Sequence, residues 1–150
     1  MKLVIISTLL CITACTSSHG PVAIHRAAAT ACTASAGNTN GPDECLVDGD
    51  CADGGACSCA GNTFEYAHAT RNLCVAAGCH VDSDCVDGEL CSPSLGDFGT
   101  FYGIQLYACH TAEDTCGSDS DCAVQNGVQG YCQFAPPVGH WQCGYNFAAG

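Results

Sequence analysis

The chain has very few basic residues. Lys and Arg together number three (Lys2, Arg26 and Arg71), against 15 Asp and Glu, and the formal net charge is −12. Because binding to nucleic acid depends on Lys and Arg that neutralise phosphates and release counterions, this scarcity excludes nucleic acid as a partner. It also disfavours unaided adsorption to anionic lipid. The acidic residues are expected to solvate a small, loop-rich surface.

Large apolar side chains are scarce as well. Aromatic residues make up 7% of the 150-residue chain, and the hydrophobic fraction of 47% includes 16 cysteines. So thin a core needs covalent help, and a cysteine content above 8–10% in a short chain is typical of a disulfide scaffold. This composition excludes most cytosolic enzyme folds.

Catalytic signatures are also missing from the sequence. It contains no Gly-x-Ser-x-Gly elbow, no His-Glu-x-x-His and no phosphate-binding loop. A thiol nucleophile is disfavoured because each mature cysteine has an expected disulfide or lipid partner. We therefore expect no enzymatic activity and predict no catalytic residue.

The N-terminus has the features of an export signal. Lys2 precedes the apolar run from Leu3 to Ala14, whose 12 residues are too short to span a bilayer and suit a signal peptide. The run ends in Ile12-Thr13-Ala14-Cys15, and this segment resembles the lipobox of a bacterial lipoprotein precursor. The resemblance implies that Cys15 is lipidated and anchors the mature chain to the outer membrane or cell surface. The alternative is an ordinary secretory signal cut nearby, for example before His19, with Cys15 discarded and the protein secreted.

Twelve of the remaining 14 cysteines fall into three repeats. Each repeat contains four cysteines, a Cys-x5-Cys spacing and an Asp-x-Asp-Cys motif at its second cysteine. The repeats are Cys45, Cys51, Cys57 and Cys74; Cys79, Cys85, Cys91 and Cys109; and Cys116, Cys122, Cys132 and Cys143. Such self-similarity indicates tandem copies of one small unit. The predicted organisation is a signal peptide at 1–14, a flexible lipidated tether at 15–40, and repeats at 41–76, 77–111 and 112–150.

Fourteen cysteines beyond the signal and the lipobox can form seven bridges. Cys32 and Cys59 lie outside the three sets of four, and the simplest scheme pairs them, so that the N-terminal arm is stapled to the first repeat. Within a repeat three connectivities are possible, and the sequence does not choose among them. We favour the interleaved scheme, first to third and second to fourth, because it holds a small coreless loop from two directions. It pairs Cys45–Cys57, Cys51–Cys74, Cys79–Cys91, Cys85–Cys109, Cys116–Cys132 and Cys122–Cys143.

The predicted fold class is small and disulfide-rich: three tandem four-cysteine modules with short β-hairpins and little or no helix. The segments before the fourth cysteines suggest the hairpins. We expect 63–66 to pair with 72–75, 100–102 with 105–107 across Gly103, and 131–134 with 140–143 around a Pro136-Pro137 turn.

With the repeats laid out, residues 43–143 resemble the Dickkopf N-terminal type of cysteine-rich module, as found in exported cysteine-rich proteins of myxobacteria-like bacteria. The match to the whey acidic protein type is less close, since adjacent cysteines are missing. The resemblance implies a module type and names no partner.

Two kinds of metal site are conceivable. The acidic clusters could bind calcium, with Asp48, Asp50, Asp53, Asp82, Asp84 and Asp87 as the candidate ligands. The EF-hand spacing is missing, and Asp beside cysteine more often caps turns. Zinc is disfavoured because the repeated spacing here is Cys-x5-Cys, apart from Cys57-Ser58-Cys59, whereas zinc sites usually show Cys-x2–4-Cys pairs. An oxidising compartment also consumes the thiolates that zinc needs. The repeated Cys79-His80 and Cys109-His110 pairs are explained equally well by surface polar residues. No cofactor is expected.

These features together predict a non-catalytic, lipid-anchored surface protein whose disulfide-constrained loops bind an extracellular protein or a glycan. The candidate interface residues are the hairpin aromatics Tyr66, Tyr102, Tyr107 and Trp141, although Trp141 suits packing between repeats better. The alternatives are a secreted protease inhibitor of whey-acidic-protein-like type and a structural spacer or calcium-binding module.

Overall fold

The computed structural model describes residues 24–35, 41–61, 63–64, 67–68, 70–97 and 102–145. Regular structure in these residues consists of eight short strands and single turns of 3₁₀ helix. The strands are β1 (Ala56–Ser58), β2 (Thr63–Phe64), β3 (Ala67–His68), β4 (Leu73–Ala77), β5 (Cys91–Asp97), β6 (Tyr102–Cys109), β7 (Tyr131–Ala135) and β8 (His140–Gly144). The 3₁₀ turns are Asp48–Asp50, Ala52–Gly54, Asp82–Asp84, Val86–Gly88 and Asp119–Asp121. The predicted class, a small disulfide-rich fold with little helix, is confirmed.

The seven disulfides join Cys32–Cys59, Cys45–Cys57, Cys51–Cys74, Cys79–Cys91, Cys85–Cys109, Cys116–Cys132 and Cys122–Cys143. These pairs coincide with the interleaved scheme and with the additional bridge from the arm to the first repeat. The loops that they close span 12 to 27 residues. In the chain-entropy model each such bridge contributes about 3 kcal/mol by restricting the unfolded chain.

Each Asp-x-Asp-Cys motif forms a turn that its own carboxylates hold in place. In the first repeat Asp50 Oδ2 accepts the backbone N–H groups of Leu46 and Val47, and Asp48 Oδ1 accepts that of Cys57 at 2.8 Å. The second Asp therefore caps the 3₁₀ turn, while the first ties the turn to the strand that carries the third cysteine. The other two repeats show the same pattern. Asp84 and Asp121 cap their turns in the same way, and Asp82 and Asp119 accept the backbone N–H of the third cysteine of their repeat.

A tight turn follows the second cysteine of every repeat. Both of its central residues have positive φ: 55° and 71° at Asp53-Gly54, 54° and 79° at Asp87-Gly88, and 51° and 79° at Asn126-Gly127. Asp, Asn and Gly tolerate this left-handed backbone better than other residues do. A backbone hydrogen bond closes each turn, from Gly55 to Ala52, from Glu89 to Val86 and from Val128 to Gln125. The acidic clusters thus encode turn geometry.

The third and fourth cysteines of each repeat lie opposite each other across an antiparallel strand pair. The facing pairs are Cys57 and Cys74 in β1 and β4, Cys91 and Cys109 in β5 and β6, and Cys132 and Cys143 in β7 and β8. β4 also runs parallel to β6, which joins the first two repeats in one sheet of order β1-β4-β6-β5. β7 and β8 form a separate hairpin, and the amide of Phe134 in β7 donates to Ser94 Oγ in β5 at 2.8 Å. The three repeats therefore pack as one body.

Two of the three predicted hairpins are wrong. β4 pairs with β1, whereas residues 63–64 pair with 67–68 in a separate two-stranded hairpin. Tyr102–Cys109 is one continuous strand paired with β5, so the chain does not turn at Gly103. The physical reason is the same in both cases, because the facing third and fourth cysteines set the register. The third hairpin is confirmed, with Phe134 opposite Trp141.

The N-terminal arm, which we define as residues 24–35, differs from a flexible tether. Its backbone hydrogen-bonds to both of the first two repeats: Cys32 N–H donates to Leu46, Arg26 N–H donates to Cys91, and Asp82 N–H donates to Arg26, all within 2.8 Å. These residues are part of the folded body. The tether predicted at 15–40 therefore does not apply to this stretch.

Bridged cysteines make up eight of the 14 buried apolar residues in the described part of the chain. One cluster contains Cys32, Cys45 and Cys57 in the first repeat, and a second surrounds Tyr107 with Ala56, Cys79 and Cys91. The third places Trp141 among Ala108, Cys116, Cys122 and Cys132. Each cluster is too small to stabilise a fold by apolar burial alone. The bridged cysteines therefore both cross-link the chain and form a large part of the core.

Candidate binding site

The most elaborate side-chain cluster lies where the second repeat meets the third. The His110 ring stacks on Trp141 with centroids 4.3 Å apart and an interplanar angle of 12°, and Phe134 meets the same indole edge-on at 6.1 Å. Trp141 Nε1 donates to the carbonyl of Cys109 at 3.2 Å. These contacts lock the third hairpin onto the end of β6.

The buried carboxylate of Asp114 connects the residues of this cluster by hydrogen bonds. Its side chain has 0% relative exposure, and its Oδ2 lies 2.7 Å from His110 Nδ1. The same carboxylate accepts the backbone N–H and the hydroxyl of Thr111 and the backbone N–H of Trp141, at 3.0 to 3.1 Å. A buried carboxylate is tolerated only when it is satisfied in this way. Asp114 therefore fixes both the ring orientation of His110 and the start of β8.

A cavity of about 260 Å³ opens beside the stacked rings. Its lining includes the apolar side chains of Ile24 in the arm, Leu95 and Trp141, together with Ser118, Asp119 and Ser120 of the 118–120 turn. Apolar walls with a few polar groups are the usual composition of a small ligand site. We call this opening the junction cavity.

A second cavity, of about 610 Å³, lies between the arm and residues of both the first and the second repeat. Arg26 dominates its wall: its guanidinium Nη2 donates to both oxygens of Asp48 at 3.1 and 3.2 Å, and its Cζ lies 4.6 Å from the centre of the Tyr107 ring. Next to it, His25 Nδ1 lies 2.7 Å from Asp82 Oδ2. Two consecutive arm residues thus engage the matching acids of two consecutive repeats. We call this opening the arm cavity.

Two of the candidate interface aromatics are not at the surface. The interface prediction is wrong for Tyr107, whereas Trp141 packs between repeats, as the alternative stated for it predicts. Tyr107 and Trp141 are 3% and 2% exposed. Tyr107 is covered by Arg26 and hydrogen-bonded to the Ser58 side chain, and burial raises the pKa of its hydroxyl group. Trp141 is held by the bonds described above. In so small an interior these rings are needed for packing. Tyr102 lies on β6, and Tyr66 lies outside the described residues.

The calcium candidates have other roles in the structure. Asp48, Asp50, Asp82 and Asp84 accept backbone N–H groups, as the turn-capping interpretation predicts. These bonds hold the pKa of Asp50 and Asp84 below the usual value. Asp53 and Asp87 occupy the left-handed corner of the tight turns. In the part of the chain that the structure describes, the groupings of potential metal ligands consist of cysteines that are already bridged.

Sequence reasoning missed the roles of His110, Asp114 and Arg26. His110 is buried beside Trp141, so the surface explanation offered for the Cys-His pairs is wrong for this residue. A signal was present, because both Cys-His pairs have an Asp four residues after the His, and both His–Asp pairs form, at 3.8 Å for His80–Asp84 and 2.7 Å for His110–Asp114. Nothing local to Arg26 indicates its distant partner Asp48.

Comparison with family models, with curated proteins and with solved structures finds no match to this chain. Among the described residues, no helix has the length and apolar character that a membrane crossing requires. Cys15 lies outside the described residues. The seven disulfides are typical of an extracellular or exported protein.

Proposed function

We propose that the chain is a non-catalytic, lipid-anchored surface protein that binds an extracellular protein or a glycan at the junction cavity. The observation that carries the proposal is the cavity itself, which combines apolar walls with the polar 118–120 turn on a body held by disulfides. Loops fixed in this way lose little conformational entropy on binding, which favours affinity.

The anchoring part of the proposal depends on the sequence. The Ile12-Thr13-Ala14-Cys15 segment resembles a lipobox, and the Dickkopf-type cysteine pattern resembles exported bacterial modules. One acyl chain binds membranes marginally, whereas two or three anchor stably. Growth of expressing cells with an alkyne-tagged fatty acid tests this part. Wild type incorporates the label, the variant Cys15→Ser does not, and equal labelling of both would contradict the anchor.

The binding part is tested on glycan and peptide arrays with the oxidised protein. Ser120 lies on the cavity wall, and Ser83 stands at the same place in the Asp-x-Asp motif of the second repeat, exposed and outside the cavity lining. A true ligand binds wild type and Ser83→Trp but is lost in Ser120→Trp, in which the bulky ring obstructs the opening. Ligands that bind all three proteins equally would place recognition elsewhere. Nanomolar inhibition in a protease panel would replace the proposal with the inhibitor alternative.

A further inference from the structure

The first repeat brings the sulfurs of three disulfides into one continuous cluster. Cys32 Sγ, of the bridge to Cys59, lies 3.6 Å from Cys57 Sγ, of the bridge to Cys45. Cys45 Sγ in turn lies within 4.8 Å of the sulfurs of Cys51 and Cys74. Sulfur of one bridge is therefore close to sulfur of the next throughout this repeat.

The contact between Cys32 and Cys57 arises from the arm and is peculiar to the first repeat. The sequence reads Cys57-Ser58-Cys59 there, but Cys91-Ser92-Pro93 in the second repeat and Cys132-Gln133-Phe134 in the third. Pro93 and Phe134 thus replace the cysteine that fastens the arm. The chain itself provides a matched comparison between a repeat with the third bridge and one without it.

The cluster is accessible from one side. Cys57 and Cys59 both line the arm cavity, and Cys59 is half-buried, whereas Cys32 and Cys57 are buried. A thiolate that enters from solvent thus meets Cys59 first. Attack there expels Cys32 as the leaving thiolate, and Cys32 is the sulfur that lies 3.6 Å from the neighbouring bridge.

We propose that Cys32, Cys57 and Cys59 form a thiol–disulfide exchange site that takes a dithiol as its reductant. One dithiol sulfur bonds to Cys59 and breaks the Cys32–Cys59 bridge. The Cys32 thiolate then bonds to Cys57 and breaks the Cys45–Cys57 bridge, which releases Cys45 as a thiolate. The second dithiol sulfur displaces Cys59, so that the dithiol leaves as its own disulfide.

The overall step balances in electrons and protons. The dithiol loses two electrons and two protons, and the protein gains free thiols at Cys45 and Cys59 and a new Cys32–Cys57 bridge. Exchange proceeds by attack of a thiolate on a bridged sulfur, and reacting atoms 3–3.5 Å apart are close to the geometry of attack. The separation of 3.6 Å between Cys32 Sγ and Cys57 Sγ needs only a small movement. This redox role is independent of binding at the junction cavity.

Two matched single variants test the exchange without added reductant. Cys45→Ser leaves a free thiol at Cys57, next to Cys32, and Cys79→Ser leaves one at Cys91, whose repeat has Pro93 in place of the extra cysteine. After incubation at pH 8, acid quenching, alkylation and non-reducing peptide mapping, Cys45→Ser is expected to show about a tenth or more of its free thiol on Cys59. That share corresponds to a free-energy difference of about 1.4 kcal/mol or less between the isomer with the Cys32–Cys59 bridge and the isomer with the Cys32–Cys57 bridge. Cys79→Ser is expected to keep its thiol on Cys91.

A free thiol confined to Cys57 in Cys45→Ser would overturn the proposal, as would equal scrambling in both variants. If Cys45→Ser fails to fold, a limiting pulse of dithiothreitol on the wild-type protein gives the answer. The proposal predicts first free thiols at Cys45 and Cys59 with a Cys32–Cys57 link. Free Cys32 and Cys59 with Cys45–Cys57 intact, or first reduction in another repeat, would overturn it.

Discussion

Nδ1 of His110 lies 2.7 Å from the fully buried carboxylate of Asp114. The pair sits under Trp141 and connects the end of β6 to the start of β8. It therefore links the second repeat to the third independently of any disulfide, and it shapes the junction cavity on which the proposed binding function depends.

Replacing Asp114 by Ala should destabilise this junction strongly. The variant leaves the donors of His110, Thr111 and Trp141 without their acceptor in a buried site, at a cost of about 3 kcal/mol in the free energy of unfolding. Denaturant unfolding with disulfides intact measures the change. Glu113→Ala, at the exposed neighbouring position, is the control and should stay within about 0.5 kcal/mol of wild type. Equal stability of Asp114→Ala and wild type would show that the carboxylate does not hold the junction.

Arg26 should matter far more than the other arginine of the described chain. Arg26→Met removes the partner of Asp48 and one face of the Tyr107 contact, in a site where both charged side chains are less than a fifth exposed. The expected loss is about 1–3 kcal/mol. Hydrogen exchange should also accelerate at the amide of Asp82, which donates to the Arg26 carbonyl. Arg71→Met, which breaks the more exposed pair with Glu44, should cost less than about 1 kcal/mol. Equal losses of stability in the two variants would contradict the conclusion that Arg26 holds the arm against the first two repeats.

Stability should fall in acid because of the turn-capping carboxylates. Backbone N–H donors lower the pKa of Asp50 and Asp84 in the folded protein. The contribution of these groups is present above the unfolded carboxyl pKa of about 3.9 and is lost as pH falls through the lower folded value. Denaturant unfolding between pH 2 and 6 measures this slope. The double variant Asp50→Asn with Asp84→Asn should flatten it, because it removes two of the titrating turn caps. A slope in this double variant equal to that of wild type would refute the assignment.

The fluorescence of Trp141, the only tryptophan of the chain, measures directly whether its ring is buried. Trp141 is 2% exposed and stacked on His110. Its fluorescence should resist quenching by acrylamide in the native protein and should become accessible after denaturation and reduction. Native quenching as efficient as that of free indole would restore Trp141 as a surface contact residue.

Cysteine spacing predicted the three repeats and left Cys32 and Cys59 as a further pair. It left the connectivity within a repeat open, and the interleaved scheme was favoured because such bridges hold a small loop from two directions. The Asp-x-Asp-Cys turns were also predictable, because each Asp accepts hydrogen bonds from backbone amides that are at most 13 residues away in the chain. The strand pairing predicted from the segments before the fourth cysteines is wrong for two of the three hairpins. The facing positions of Cys57 and Cys74, and of Cys91 and Cys109, decide the register instead.

The candidate site was harder to predict, because it depends on contacts between repeats. Arg26 meets Asp48 across 22 residues, and Trp141 meets Cys109 across 32. No periodicity in the chain specifies how one cystine-rich unit docks on the next. The parallel pairing of β4 with β6 is set by this docking and has no local signature.

Intact-mass spectrometry of the protein extracted from membranes, before and after reduction, tests the account most directly. Seven bridges and an anchored Cys15 predict a mature chain that begins at Cys15, carries acyl chains and gains 14 hydrogens on reduction. A mature mass without acyl chains, or a gain of fewer than 14 hydrogens, would contradict a lipid-anchored body held by these seven disulfides.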